Sequence, residues 1–366
     1  MALRVAIVGL PNVGKSTLFN ALTQTAAAQA ANYPFCTIEP NVGDVAVPEP
    51  RLDVLAEIGR SKEIIPARIN FVDVAGLVRG ASKGEGLGNQ FLANIRDCDA
   101  VAFVARCFED GDVTHVEGRV DPLADLEIIE TELMLADLES LERRMPALEK
   151  KAKAGGDKEA AATVRLARLA LDQLSAGRPA RAATVPAEDA RGWAMLQLLT
   201  ALPALYVANV DEGSAAEGNA LSARVAERAA ADNAKSVVIS AKIESEIALL
   251  DKAERAEFLE TLGLEEPGLN RLIREAYALL GLQTYFTVGP KEARAWTIPV
   301  GATAPEAAGV IHSDFEKKFI RAETVAYPDY VQLKGEAGAR EAGKLRAEGK
   351  AYVVRDGDVM HFLTAA

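Results

Sequence analysis

The chain has 366 residues, a length that suggests two or three domains. Hydrophobic residues make up 49% and charged residues 26%, a composition that excludes a disordered, collagen-like or disulfide-stapled protein. With 41 Lys and Arg against 53 Asp and Glu, the net charge of -12 excludes a uniformly basic nucleic-acid binder but allows a local basic patch. The three cysteines show no metal-ligand spacing and are predicted to be reduced thiols in a cytoplasmic protein. No apolar stretch is long enough for a comfortable membrane span, so no membrane association is expected.

Short apolar runs alternate with helical stretches along much of the chain. Continuous apolar strands separated by helices are typical of a parallel sheet covered on both faces, so the sequence predicts an α/β fold. The segment Val42–Val47, which lies between two prolines, is predicted to add an edge strand. The predicted buried strands are Leu3–Val8, Ile69–Val74, Ala100–Ala105, Leu205–Asn209 and Ser236–Ile239.

The first apolar run leads directly into a phosphate-binding loop. Gly9–Ser16 matches the pattern G-x-x-x-x-G-K-[ST], with a strand before it and a helix-forming segment after it. The glycines let backbone N–H groups surround the phosphates, and the helix N-terminus adds a favourable dipole. Lys15 is expected to reach the β- and γ-phosphates, and Ser16 to bind Mg²⁺. The nucleotide-binding residues predicted here are Asn12, Val13, Gly14, Lys15, Ser16 and Thr17.

Three further positions are predicted to complete the metal and phosphate site. Asp73 ends the next buried strand and is expected to hold the Mg²⁺ shell, while the Gly76 N–H senses the γ-phosphate. Thr37 lies between these motifs, where its hydroxyl would join the Mg²⁺ sphere when a triphosphate is bound; the alternative is an ordinary exposed loop threonine. The predicted metal ligands are therefore Ser16, Thr37 and Asp73.

The interval from Leu123 to about Thr200 contains no strand-like run. Two apolar stripes with a mean spacing of about 3.5 residues flank Gly155-Gly156 and predict an antiparallel helical hairpin of coiled-coil type. Pro146 is expected to bend or break the first helix. The stripes consist of Met134, Leu138, Leu141, Met145, Leu148 and Ala152, and of Ala160, Val164, Ala167, Leu171 and Leu174.

The predicted hairpin also collects positive charge. From Arg143 to Arg181 there are ten Lys or Arg and four Asp or Glu, which leaves the rest of the chain at -18 against a total of -12. Two interpretations remain open: a solvated helical surface, or a contact face for an anionic partner such as RNA. The residues proposed for that face are Arg143, Arg144, Lys150, Lys151, Lys153 and Lys158.

Two motifs expected to bind the base follow the hairpin, at the ends of the last two predicted strands. In GTPases a strand-end Asn-Lys-x-Asp reads guanine, because the Asp accepts hydrogen bonds from the ring N–H and the exocyclic amine. Here Val210 stands in place of the Lys and Glu212 in place of the Asp, which argues against strict guanine specificity. The predicted base-end residues are Asn209, Val210, Glu212, Ser240, Ala241 and Lys242.

The chain changes character from about Gly281, where aromatic and β-branched residues alternate with turn signals. This composition predicts a small separate domain of mixed strands with one or two helices. Ala307–Phe319 is the first candidate helix and Gly338–Gly349 the second.

Together these motifs resemble those of the translation-factor-related GTPases and, more closely, those of the Obg-like ATPase family known as YchF. The resemblance implies a P-loop G domain at 1–122 and 200–280, and an inserted α-helical coiled-coil hairpin at 123–199. It implies a C-terminal β-grasp (TGS, ubiquitin-like) domain at 281–366. The segments that carry it are Gly9–Ser16, Asn32–Asn41, Asp73–Gly88, Arg106–Asp110, His115–Pro122, Asn209–Glu212 and Asp314–Glu323.

The resemblance also implies an activity and partners. These are Mg²⁺-dependent hydrolysis of ATP, alongside or in preference to GTP, and association with the ribosome. The expected partners there are the large subunit and ribosomal RNA. The expected function is a slow nucleotide switch. The alternative is an RNA- or ribosome-binding module whose nucleotide site is mainly structural.

The group that orients the attacking water is left open. Leu77 occupies the position where Ras-like enzymes keep a glutamine, and a leucine cannot orient water. His115, in a loop rich in Gly and Asp, is one candidate, and the family resemblance points to it; its alternative is a surface histidine that never reaches the phosphate. Asn12 is the other, because in related enzymes an asparagine here helps to hold K⁺ against the phosphates. The predicted catalytic residues are His115, Lys15 and Gly76.

Overall fold

The computed structural model describes residues 3–30, 41–74, 87–110, 119–153 and 158–365. The chain forms two compact units. The first consists of Met1–Val45 and Asn70–Ala276, and the second consists of Ala46–Ile69 and Tyr277–Ala366. Within the described residues, no helix combines the length and the apolar character needed to cross a membrane.

The described elements are twelve strands and fourteen α-helices. The strands are β1 (Arg4–Val8), β2 (Val42–Ala46), β3 (Glu63–Ile65), β4 (Arg68–Asp73), β5 (Ala100–Cys107), β6 (Ala204–Val210), β7 (Lys235–Ile239), β8 (Leu282–Val288), β9 (Glu292–Pro299), β10 (Phe319–Ala326), β11 (Arg346–Glu348) and β12 (Asp358–Thr364). The helices are α1 (Lys15–Ala30), α2 (Pro50–Gly59), α3 (Leu87–Arg96), α4 (Pro122–Lys153), α5 (Lys158–Ser175), α6 (Ala190–Ala194), α7 (Ala220–Ala231), α8 (Ala241–Ile247), α9 (Lys252–Thr261), α10 (Gly268–Leu279), α11 (Ala304–Ile311), α12 (Ser313–Lys317), α13 (Tyr327–Gln332) and α14 (Glu336–Glu341).

The first unit is built on a six-stranded sheet with the order β2-β4-β1-β5-β6-β7. The pairs from β4 to β7 are parallel, and every residue of β5 and β6 is buried, as continuous apolar strands require. All five predicted buried strands lie in this sheet. The predicted edge strand is confirmed as β2, which pairs with β4 at the outside of the sheet.

The parallel pairing brings the carboxyl ends of five strands to one edge of the sheet. Ile7 pairs with Asp73 on one side and with Ala102 on the other, while Asn209 pairs with Arg106 and with Ile239. The loops that follow β1, β4, β5, β6 and β7 therefore leave from the same edge, which is where ligands bind in open α/β sheets.

The predicted hairpin is present as α4 and α5, which pack along each other. Leu141 of α4 is buried against Leu166, Ala167, Ala170 and Leu174 of α5, so the apolar stripes do form the seam between the helices. The predicted Gly155-Gly156 turn lies outside the described residues.

Of the bend or break predicted at Pro146, the break is wrong, because α4 continues through this residue to Lys153. The proline lacks an N–H and so leaves the carbonyl of Glu142 without its helical partner. Both residues are exposed, and water can bond to that carbonyl, so the helix continues past the proline.

Two buried carboxylates attach α4 to the chain that leads into β6. Asp137 accepts hydrogen bonds from the backbone N–H groups of Leu199 and Thr200, at 2.9 and 2.8 Å, and burial raises its pKa. Glu130 pairs with Arg181 and accepts from the Tyr206 hydroxyl of β6 at 2.9 Å. The hairpin is therefore joined to the strand that ends in the base motif.

Some of the basic side chains predicted for the hairpin surface have partners within the chain. Arg165 pairs with Asp189 and Arg168 with Glu149, each at 2.7 Å. The half-buried Arg144 donates a hydrogen bond to the carbonyl of Leu196 at 2.8 Å, so this side chain links α4 to the segment before β6. The basic residues that remain exposed near the end of the hairpin are Arg143, Lys150, Lys151, Lys153 and Lys158.

The second unit contains a mixed sheet with the order β11-β10-β12-β8-β9-β3. β8 and β9 are antiparallel, as are β10 and β12, whereas β12 runs parallel to β8, as in a β-grasp domain. The edge strand β3 comes from the segment Ala46–Ile69, which sequence reasoning placed in the nucleotide-binding domain. Its pairing of Glu63 with Glu292 joins positions far apart in sequence, which no local pattern reveals.

The two helices predicted for this region differ from those observed. The stretch Ala307–Phe319 is divided into α11 and α12 because His312 is extended, with φ −158°, and its Nδ1 accepts from the Asp314 N–H at 3.1 Å. The stretch Gly338–Gly349 is helical in α14 only as far as Glu341. Gly343 then adopts φ +69°, and the chain turns into β11.

Candidate functional site

A cavity of about 680 Å³ opens at the carboxyl edge of the parallel sheet. Its size is that of a pocket for a ligand such as a nucleotide. Every nucleotide-binding residue predicted from the sequence lines it except Val13. The lining residues are Leu10, Pro11, Asn12, Gly14, Lys15, Ser16, Thr17, Phe108, Glu109, Asp110, Asn209, Val210, Asp211, Glu212, Ser240, Ala241 and Lys242.

The loop after β1 has the backbone geometry that phosphate binding requires. Asn12 and Gly14 adopt left-handed conformations, with φ 65° and 89°, and α1 begins at Lys15. A Cβ atom on Gly14 would lie 2.1 Å from Nδ2 of Asn209, so no larger residue fits at this position. The glycine thus permits the close approach of the loop to the base motif, and the start of α1 supplies backbone donors for an anion.

Lys15, which lines the cavity, is in direct contact with Asp73, which is not among the lining residues. The Lys15 ammonium pairs with the Asp73 carboxylate, and their side chains are only 8% and 19% exposed. The two groups that sequence reasoning assigned to phosphate and to metal are therefore brought together by the pairing of β1 with β4. The pair balances both charges in this sheltered position.

Asn209 links three of the predicted motifs. Its buried side-chain amide donates from Nδ2 to the carbonyl of Val13 at 2.8 Å and accepts at Oδ1 from the Ala241 N–H at 2.9 Å. Val13 is itself buried and contributes this carbonyl rather than a surface to the cavity. The phosphate loop, the end of β6 and the start of α8 are thereby held in one arrangement.

Glu212 and Lys242 form an ion pair at the other end of the cavity. The hydrogen bond from Lys242 lowers the pKa of Glu212, and the carboxylate raises the pKa of Lys242. The neighbouring Asp211 carboxylate accepts from the Ser214 hydroxyl at 3.0 Å. Both acidic groups of this motif therefore have protein partners.

Helix α8, which carries the second base-end motif, is anchored by a buried carboxylate. Glu244 accepts hydrogen bonds from the N–H groups of Gly268 and Leu269, at 2.7 and 3.3 Å, at the N-terminus of α10. Burial raises the pKa of Glu244 to about 7, although these two bonds oppose the shift. The anchor limits how far the segment Ser240–Lys242 can move.

The residues Phe108, Glu109 and Asp110 line the cavity but were not among the predicted site residues. The buried Arg106 supports them, because its Nε donates to the carbonyl of Phe108 at 3.1 Å and its guanidinium lies 4.6 Å from the Phe108 ring centre. Their position directly after β5 was the available signal, since the strand ends at the same sheet edge as the other motifs.

Four predicted positions, Thr37, Gly76, Leu77 and His115, lie outside the described residues. The metal ligands predicted within the described part are Ser16 and Asp73. A hydroxyl and a carboxylate supply the hard oxygen donors that Mg²⁺ prefers, so these residues fit the ion. Across the described ranges, no three His, Cys, Asp or Glu side chains form a metal-binding group, so further oxygens would come from phosphates or water.

Two family models match parts of the chain. Residues 4–141 match a model described as a 50S ribosome-binding GTPase. Residues 282–365 match the model YchF-GTPase_C, which is described as a protein of unknown function. The first match includes the phosphate loop, and the second covers most of the mixed sheet.

Known proteins resemble the chain over its whole length. It is 58% identical over 362 residues to a protein of Haemophilus influenzae named "Ribosome-binding ATPase YchF", with 99% of each chain covered. A Bacillus subtilis protein of the same name is 54% identical over 364 residues, again with 99% of each covered. A solved structure, described as that of the Schizosaccharomyces pombe YchF GTPase, has a TM-score of 0.87 and 36% identity, and covers 99% of this chain and 97% of that one.

Proposed function

Because this chain belongs to the YchF family, we propose that it is a ribosome-binding ATPase that acts as a slow nucleotide switch. The observation that carries this proposal is the cavity in which the phosphate loop, Lys15 and the base motif at Asn209 line one nucleotide-sized space. Phosphate release from ATP by the purified chain, compared with that of Lys15→Ala, tests the proposal.

Each group of the site has a distinct part in this function. Lys15 and the N–H groups at the start of α1 bind the phosphates. Asn209 holds the phosphate loop next to the base motif through its hydrogen bonds to Val13 and Ala241. Ser16, Thr37 and Asp73 would hold Mg²⁺, which when bound neutralises charge on the β- and γ-phosphates. Arrival of the triphosphate lets Lys15 exchange the Asp73 carboxylate for phosphate oxygens, which frees Asp73 for the metal side of the site.

The inserted hairpin and the C-terminal unit complete the proposed organisation. We infer a G domain at 1–122 and 200–280, without the segment Ala46–Ile69 that belongs to the second unit. A helical domain at 123–199 and a TGS domain at 281–366 complete the chain of a cytoplasmic protein. The description "50S ribosome-binding GTPase" of one matching model supports the large ribosomal subunit as the partner.

We expect ATP to bind at least as tightly as GTP. Val210 and Glu212 depart from the guanine-reading pattern, so the donors of guanine lack their usual acceptor. Equilibrium titration with labelled ATP and GTP measures the preference. Val210→Lys combined with Glu212→Asp should move selectivity towards GTP. A wild-type preference for GTP of about tenfold, or 1.4 kcal/mol, would overturn this expectation.

The exposed end of the hairpin is proposed to contact ribosomal RNA. Reversing the charges of Lys150, Lys151, Lys153 and Lys158 to Glu should weaken ribosome binding strongly, because a phosphate that no lysine neutralises keeps its counterions and adds nothing to the affinity. The slope of log Kd against log salt concentration should fall by about 0.7–0.9 for each phosphate that is no longer neutralised. Binding is measured by cosedimentation with ribosomes over a range of KCl concentrations.

Reversal of Arg165 and Arg168 serves as the matched control on the same hairpin. Both arginines already pair with acidic residues of the fold, so their reversal should leave the salt slope unchanged. Ribosome binding that is insensitive to salt, or equally weakened by both sets of changes, would count against a contact through the hairpin end.

A further inference from the structure

The ion pair between Lys242 and Glu212 connects the two base-end motifs at the mouth of the cavity. Glu212 opens the short turn Glu212–Ser214 after β6, and Lys242 lies in the first turn of α8. Their side chains are 69% and 47% exposed, for Lys242 and Glu212 respectively, so an entering base can compete with the pair. The hydrogen bond from Lys242 lowers the pKa of the Glu212 carboxyl group.

The other carboxylate of the motif already has hydrogen-bond donors of its own. Asp211 accepts from the Ser214 hydroxyl at 3.1 and 3.0 Å through its two oxygens, and Nδ2 of Asn219 lies 3.5 Å from one of them. These hydrogen bonds hold Asp211 in the turn after β6. Glu212 stands at the position where GTPases keep the base-reading Asp, and Lys242 already engages one of its oxygens.

Adenine and guanine differ in what they require of that carboxylate. Guanine presents a ring N–H and an exocyclic amine as adjacent donors. When the base leaves water, both donors lose their hydrogen bonds to water unless an acceptor in the protein takes the place of water. Adenine has a ring nitrogen acceptor in place of the ring N–H, and therefore one donor group on that edge. Guanine needs acceptors for both donors and meets Lys242 at one oxygen of Glu212, whereas adenine lacks the ring N–H and makes a smaller demand on this carboxylate.

A second polar group at this end can bond either base, since guanine also carries an acceptor, its carbonyl oxygen, beside the ring N–H. The Ser240 hydroxyl is buried in the cavity wall and has no hydrogen-bond partner among the described residues. A hydroxyl can both donate and accept, so it can serve a base edge that carries an acceptor beside a donor. The base end thus offers a neutral hydroxyl and an occupied carboxylate.

We propose that Lys242 is a specificity-determining residue that favours adenine by engaging Glu212 and so withholding this carboxylate from guanine. The inference rests on the proposed function, because it requires a nucleoside triphosphate in this cavity. Lys242 acts through Glu212 and is thus a positioning residue. Its removal should change the ratio of the two nucleotide affinities, whereas removal of a merely structural group would weaken both nucleotides alike.

The test is an equilibrium titration of the full chain with Mg-ATP and Mg-GTP. Lys242→Met keeps the aliphatic stem and releases Glu212, so the ratio Kd(GTP)/Kd(ATP) should fall by about fivefold, the largest preference that an exposed ion pair usually supports. Glu212→Gln removes the ionised acceptor, and this ratio should not fall. The double variant should match Glu212→Gln, because Lys242 has no effect without its partner.

Lys235→Met is the matched control, since Lys235 is an exposed lysine at the amino end of β7, away from the cavity edge. It should leave the ratio unchanged. The inference is overturned if Lys242→Met leaves the ratio unchanged, or if the ratio falls equally when Lys242→Met is combined with Glu212→Gln. In either case, ATP binding by the wild type leaves the proposed function standing. A wild-type chain that binds neither nucleotide would overturn both.

Discussion

Lys15→Ala is expected to lower ATP hydrolysis by about 10³-fold or more, because it removes the positive charge that holds the transferred phosphoryl group. The lysine faces the cavity, where it pairs with the Asp73 carboxylate rather than packing in the apolar core. The fold should therefore persist, but the thermal unfolding midpoint should fall, because the variant leaves the sheltered Asp73 carboxylate without its partner. Single-turnover hydrolysis and thermal unfolding measured on the same preparation separate the two effects.

The matched control for this variant is Lys235→Ala, which removes an exposed lysine of the same unit outside the cavity. It should hydrolyse ATP at the wild-type rate. Normal turnover in Lys15→Ala would contradict the assigned phosphate site. If Lys15→Ala loses hydrolysis yet binds ribosomes as the wild type does, with and without ATP, the nucleotide site is mainly structural for ribosome binding and the switch is rejected.

His115→Ala is expected to lower kcat by roughly 10- to 10⁴-fold if the imidazole orients or deprotonates the attacking water. Nucleotide affinity should hardly change, because such a group acts mainly in the transition state. Leu77→Ala should do much less damage, since a leucine cannot hold the water. Single-turnover hydrolysis in K⁺ and in Na⁺ measures these effects and the alternative route together.

The alternative route uses Asn12 and K⁺ to stabilise the developing charge. Asn12 lines the cavity in a left-handed conformation, which places it in the phosphate loop where a cation could be held. Under this route, replacing K⁺ by Na⁺ slows the wild type, and His115→Ala remains active in K⁺. His361→Ala, an exposed histidine of the second unit, is the matched control and should be neutral under both routes.

The cavity itself was largely predictable, because its parts are short motifs placed by regular secondary structure. A phosphate loop needs glycines and a lysine at fixed spacing between a strand and a helix, and Gly9–Ser16 shows that spacing. Once the apolar runs are interpreted as parallel strands, Asp73 and Asn209 follow at the same edge. The departure of Glu212 from the guanine pattern is visible in the sequence as well.

Pairings between distant positions were not predictable in the same way. The ion pair of Glu212 with Lys242 depends on how β6 and β7 are paired and on the anchoring of α8 by Glu244. The contribution of Phe108 to the cavity depends on its support by Arg106. Such interactions join residues whose side chains carry no periodic or spacing signal of their own.

The sequence alone determined the α/β class, the phosphate loop and the helical hairpin, because each depends on local spacing or on apolar periodicity that a single segment carries. The tertiary structure decided that Ala46–Ile69 supplies a strand to the second sheet and that α4 continues through Pro146. It also decided which basic side chains of the hairpin bond to other residues of the chain, as Arg144 does to Leu196. These outcomes depend on pairing and solvent exposure, which arise only when distant segments are brought together.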